Sequence, residues 1–141
     1  MPLMPRKGIL AVTVVVDIAV HARGRPIIGK KLSARYGLPP RHFEPVLQAL
    51  VRQGILRGIR GPRGGYELAR KPALISVVDI VRATGDLDEI DRFPTPIASL
   101  IGKVVMPALG EAEHAFSTAL SRVSLEDLAS LAEDLPSSTR R

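Results

Sequence analysis

The chain has 141 residues, of which 45% are hydrophobic and 24% charged, the balance of a globular protein long enough for one ordinary domain with its own core. It contains no cysteine, which excludes disulfides, thiolate nucleophiles, zinc knuckles and cysteine-ligated iron–sulfur clusters. Net charge is +6, unevenly placed: residues 1–72 carry 14 Lys and Arg against 3 acids and residues 73–141 carry 6 against 11, so a half at +11 suits a polyanion and a half at −5 does something else, such as dimerise.

Arg6 and Lys7 precede the apolar run Ile9 to Val20, and Val20-His21-Ala22 loosely resembles an export cleavage site. Asp17 within the run, and a length too short for a bilayer, argue against export and favour a buried first helix from Arg6 to Ala22. Gly24 to Lys31 has the glycine spacing of a phosphate-binding loop. However, Lys31 stands where a Ser or Thr would hold magnesium and the segment follows a helix, so nucleotide binding is set aside. Ile27 to Tyr36 reads as a second helix closed by Gly37. Phe43, Val46, Leu47, Leu50 and Val51 form the core stripe of a third, which ends at Gly54; Pro45 predicts a start near His42 or Phe43. The pair around Gly37-Leu38-Pro39 is a helix-turn-helix or an ordinary helical hairpin.

Next comes a hairpin, Ile55 to Ile59 and Tyr66 to Ala69, whose tip Arg60-Gly61-Pro62-Arg63-Gly64-Gly65 can approach a phosphate backbone without side-chain obstruction. Helix, turn, helix and basic wing in that order point to duplex DNA more specifically than any one part. Ser76 to Thr84 is a helix with a capping-box start at Ser76 and Asp79, stopped by Gly85. The acidic link Asp86 to Phe93 lacks the glycine and ligand spacing of a calcium loop and reads as solvated. A long apolar stripe starts at Ile97 and runs to Val123, with a kink or break expected at Pro107. A last helix capped by Ser124 and Asp127 is expected to bury Leu125, Leu128 and Leu131, and residues 136–141 read as a disordered tail. His21, His42 and His114 fall in no metal or catalytic motif.

Gly54 to Arg70, with Lys7-Gly8, Ile75 to Val81 and Val123 to Leu128, resembles the Rrf-two family of bacterial winged-helix regulators, the IscR, NsrR and CymR type, over nearly the whole chain. The resemblance implies a long dimerisation helix packed across a partner and two-fold operator binding. Many members bind an iron–sulfur cluster through three cysteines just before that helix; this chain has none, so cluster sensing is rejected.

The fold expected is mainly α with a small β-hairpin wing, a winged helix-turn-helix head plus a long dimerisation helix. Its divisions are a head at 1–84, an acidic linker at 85–96, dimerisation helices at 97–135 and the tail. Arg41, His42, Glu44 and Gln48 offer base readers or simply a solvated helix face. Lys30, Lys31, Arg35, Arg57, Arg60 and Arg63 are the phosphate candidates, with Arg60 or Arg63 alternatively in the minor groove. Ile97, Leu100, Ile101, Val104, Val105, Leu109, Phe116 and Leu120 form the dimerisation face. The function expected is a cytoplasmic homodimeric transcription regulator, a repressor without catalysis, metal or cofactor. Its switch, a small molecule, a partner protein or nothing, is left open. The rival reading is a winged-helix module that binds an acidic protein.

Overall fold

The structure, a computed structural model, describes residues 4–22, 24–85 and 94–136. Among the described residues, seven α-helices and one hairpin follow in order: α1 (Arg6–His21), α2 (Gly29–Tyr36), α3 (Pro40–Arg52), β1 (Leu56–Ile59), β2 (Gly65–Leu68), α4 (Val77–Thr84), α5 (Thr95–Leu100), α6 (Met106–Ser121) and α7 (Leu125–Glu133). A short 3₁₀ turn, Pro72–Leu74, precedes α4, and a π turn, Ile101–Val105, joins α5 to α6. The expected acidic link lies outside the described residues.

α1 is the axis of the head. Its valines and isoleucines are buried against α4, α7, α3 and β2, and Val14, Val15, Ile18, Leu32, Phe43, Leu50 and Ile80 meet in one core. α2 starts two residues later than its pattern suggests, because Ile27 is drawn into an extended bridge with Tyr66, each N–H donating to the other's carbonyl at 2.8 Å. α2 closes on Gly37 in the left-handed region (φ 66°), which turns the chain into α3.

α3 begins at Pro40, not at His42 or Phe43. Pro40 takes the first helical position, where its fixed φ is already helical, and Pro45 deprives only the Arg41 carbonyl of a donor. Both residues are exposed, so water can satisfy that carbonyl. The expected stripe is otherwise observed, with Phe43, Val46, Leu47 and Leu50 buried and Val51 half-buried.

Pro107 neither breaks the long helix nor ends it. The helical run starts at Thr95, and the turn just before the proline widens so that the Met106 N–H reaches the Ile101 carbonyl, an i→i+5 bond. The Lys103 carbonyl, which Pro107 cannot serve, thus lies within a segment that has already left α geometry. α6 then packs on α4.

Both predicted capping boxes form, Ser76 with Asp79 and Ser124 with Asp127. They meet: Ser76 and Ser124 share a bridge in which the Val77 N–H donates to the Val123 carbonyl and the Leu125 N–H to the Ile75 carbonyl, both at 2.8 Å. This ties the start of α7 to that of α4, and α7 packs on α1 with Leu125 fully buried and Leu128 half-buried. Leu131, expected in the core, is 65% exposed; helical rotation puts Leu125, Leu128 and Ala132 on the inner face and leaves Leu131 outside it.

Candidate nucleic-acid interface

The outer face of α3 is free. Arg41, His42, Glu44, Gln48 and Arg52 are exposed, and Arg41, Pro45, Gln48 and Arg52 follow at steps of four, three and four, one line along the helix. Arg52 was not among the residues singled out from the pattern, although the same spacing that groups Arg41 with Gln48 also reaches it. Between α3, the start of α2 and the hairpin lies a cleft of about 520 Å³, lined by Gly29, Gln48, Val51, Ile59 and Arg60 among others.

The hairpin pairs Leu56 with Leu68, Arg57 with Glu67, Gly58 with Tyr66 and Ile59 with Gly65. The tip end of its second strand, at Gly65 and Tyr66, is pressed against the α1–α2 connection. A Cβ at Gly65 (φ 145°) would come within 2.6 Å of the Ile27 carbonyl oxygen, so only glycine seats the wing there. Arg60 and Arg63 stand exposed at the tip, and Arg63 shares a groove of about 830 Å³ with Arg25 and Lys31. Arg57 is held by Glu67 across the strands, Nε donating to Oε1 at 3.0 Å and Nη2 lying 2.9 Å from the same oxygen in an ion pair.

Arg35 points elsewhere. Its guanidinium turns inward to Oδ1 of Asp17, which also accepts from the Tyr36 hydroxyl, while His21 Nδ1 lies 3.2 Å from the same oxygen. Asp17 is only 2% exposed and the Arg35 side chain 20%. Burial lowers the Arg35 pKa, but the hydrogen bond and charge of Asp17 outweigh it and the net direction is up. Burial, then Asp17, pushes the Tyr36 hydroxyl up to about 12. The cluster fastens α2, the first helix of the helix-turn-helix, to α1. Lys30 and Lys31 at the start of α2 remain exposed.

The starts of the helices differ in kind. α1, α2 and α3 have no side-chain cap and no acid in the first turn, and each first turn carries cationic or histidine side chains: Arg6 and Lys7, Lys30 and Lys31, Arg41 and His42. α4 and α7 begin instead with Ser–Asp boxes. Ile97, Leu100, Val104, Val105 and Leu109 are 39% to 57% exposed along α5, the π turn and α6, with Ile101, Phe116 and Leu120 half-buried beside them.

The comparison that decides the identity is with protein families: a family model named Rrf2, described as an iron-dependent transcriptional regulator, matches residues 4–131. The chain belongs to the Rrf2 family. It is 31% identical over 124 residues to an HTH-type transcriptional regulator assignment, ORF2 of Azotobacter vinelandii, covering 86% of this chain and 76% of that one. It is 35% identical over 80 residues to the HTH-type transcriptional regulator IscR of Aliivibrio salmonicida, a match spanning 57% of this chain and 48% of that protein. Among solved structures, T. potens IscR superposes with a TM-score of 0.71 at 26% identity, over 94% of this chain and 91% of that one. This Rrf2 protein is therefore a winged helix-turn-helix, DNA-binding transcriptional regulator and not an enzyme, and the reading as a module for an acidic protein is not favoured. Iron in the family description does not carry over as a thiolate-held cluster, because no residue of the chain supplies a thiolate. Among the described residues, no three His, Asp or Glu side chains are grouped to hold a metal, and no helix is long and apolar enough to cross a membrane.

Proposed function

We propose that this Rrf2 regulator represses transcription in the cytoplasm as a homodimer, each head reading one half of a two-fold operator. The exposed apolar line from Ile97 to Leu109 carries the dimer reading, since a head this small has no surface left to cover it. Residues 1–84, closed by α7 packed on α1, form the DNA-binding head, 85–96 the linker, and α5, the π turn and α6 the dimerisation arm. The start of α3 enters the major groove, where Arg41 pairs with guanine and Glu44 accepts from a cytosine amino group, with His42 and Gln48 beside them. A carboxylate on this face is repelled by phosphate, so Glu44 belongs over a base. Lys30, Lys31, Arg57, Arg60 and Arg63 hold the backbone, and Arg35 acts as a positioning residue through Asp17. The regulator's switch, a small molecule, a partner protein or nothing, is not a cysteine-held cluster.

Selection of bound duplexes from a random pool tests the reading and yields the operator. Half-sites should lie about one helical turn, or a multiple of it, apart. Glu44→Ala should cost about 1 to 3 kcal/mol against the correct base and relax preference at one pair per half-site. Arg63→Ala should weaken all duplexes alike and lower the salt slope by about one. A protein that enriches no sequence, or two variants that bind as wild type does, would remove the reading.

A further inference from the structure

The ridge of α3 separates two clefts, only one of which faces the wing. Gln48 lines the wing-side cleft, whereas Pro45 and Arg52, on the same outer line, border a second cleft of about 550 Å³ on the other flank. That cleft has Val46 and Ala49 at its floor and Arg6 and Lys7 of α1 on its far wall. A helix lying in a major groove about 12 Å wide has a phosphate strand on each side, so cations on both flanks can act at once. From this geometry we propose that Arg6, Lys7 and Arg52 grip the phosphate backbone on the side of the recognition helix away from the wing. The proposal rests on the DNA-binding reading and adds a second, separate line of phosphate contacts to it.

Charge and continuity support it. All three side chains are exposed, and among the described residues none of them forms an ion pair. Arg6 and Lys7 sit against the positive end of the α1 dipole with no acid in that turn, a locally unfavourable choice that an external anion reverses. Arg52 continues the line of Arg41 and Gln48 without a gap, so the cleft is an extension of the recognition surface.

The test uses the full chain and a duplex selected by the wild type. Arg52→Ala should lower the slope of log affinity against log salt by about one and the paired Arg6→Ala and Lys7→Ala variant by about two, with base preference unchanged. Arg52→Lys should keep the wild-type slope, which a packing or dipole role for Arg52 does not require. Duplexes carrying single neutral methylphosphonates then locate the contacts: those insensitive in Arg52→Ala should lie across the major groove from those insensitive in Arg63→Ala. Wild-type slopes in both cleft variants, or methylphosphonate positions shared with Arg63, overturn the proposal and leave DNA binding intact. A wild-type chain that binds no duplex overturns both.

Discussion

Asp17 shows what a single residue can and cannot disclose before folding. An acid inside an otherwise apolar helix announces a partner, since a lone buried carboxylate is too costly to leave unpaired. Which partner is another matter: Arg35 lies 18 residues away and reads as one more cation of the basic half until the crossing of α1 and α2 brings them together. Removing the carboxylate strands a largely buried guanidinium, so Asp17→Leu should cost about 3 kcal/mol in urea unfolding, and Arg35→Leu added to it should recover part of the loss. Tyr36 adds a pH test. Its hydroxyl titrates near 10 when unfolded and about 12 when folded, so the fold favours the protonated form. That contribution is fully present below pH 10 and is lost as pH rises toward 12. The difference in unfolding free energy between wild type and Tyr36→Phe should accordingly shrink over that window; a difference that holds constant would mean the hydroxyl keeps its ordinary pKa.

At the scale of elements, periodicity found every helix of the head and both capping boxes, because spacing and caps are local properties. It misplaced the start of α3 because a proline was given its mid-helix cost while still within the first turns, where the lost bond faces water. The π turn was harder to read, yet the stripe carried its trace. On a regular helix, at about 100° per residue, the positions Ile97, Leu100, Ile101 and Val104 centre on one direction and Val105, Leu109, Ala112, Phe116 and Leu120 on another about 100° away. A π turn holds one residue more than an α turn, and so brings the two halves back onto one face. Deleting Gly102 should therefore convert the turn to α geometry and leave the dimer mass unchanged in light scattering. Inserting an alanine after Gly102 should turn the halves apart and yield monomer; equal behaviour of the two variants would dissociate the π turn from assembly.

For the whole molecule, the uneven charge resolves into a division of surfaces, with cations around α3 and the wing and an uncovered apolar line on α5 and α6. Leu100→Asp or Val104→Asp should split the dimer at micromolar concentration while the head keeps its helical circular dichroism; a wild-type mass in both variants would place the interface elsewhere. That division was legible in the placing of charge and apolar residues, whereas the return of α7 to the head was not, since it depends on one backbone bridge between residues 48 apart in sequence, Ser76 and Ser124. The Ser76–Ser124 bridge also sets an order of events during synthesis. A ribosome that has released the chain as far as Gly85 has made every side chain proposed to face DNA, but Leu125 is still missing from the core and the Ile75 carbonyl and Val77 amide have no partners. The core of the head closes only once α7 has emerged, so on the dimer reading proposed above a nascent chain completes its head after, and not before, it has made the stretch that pairs.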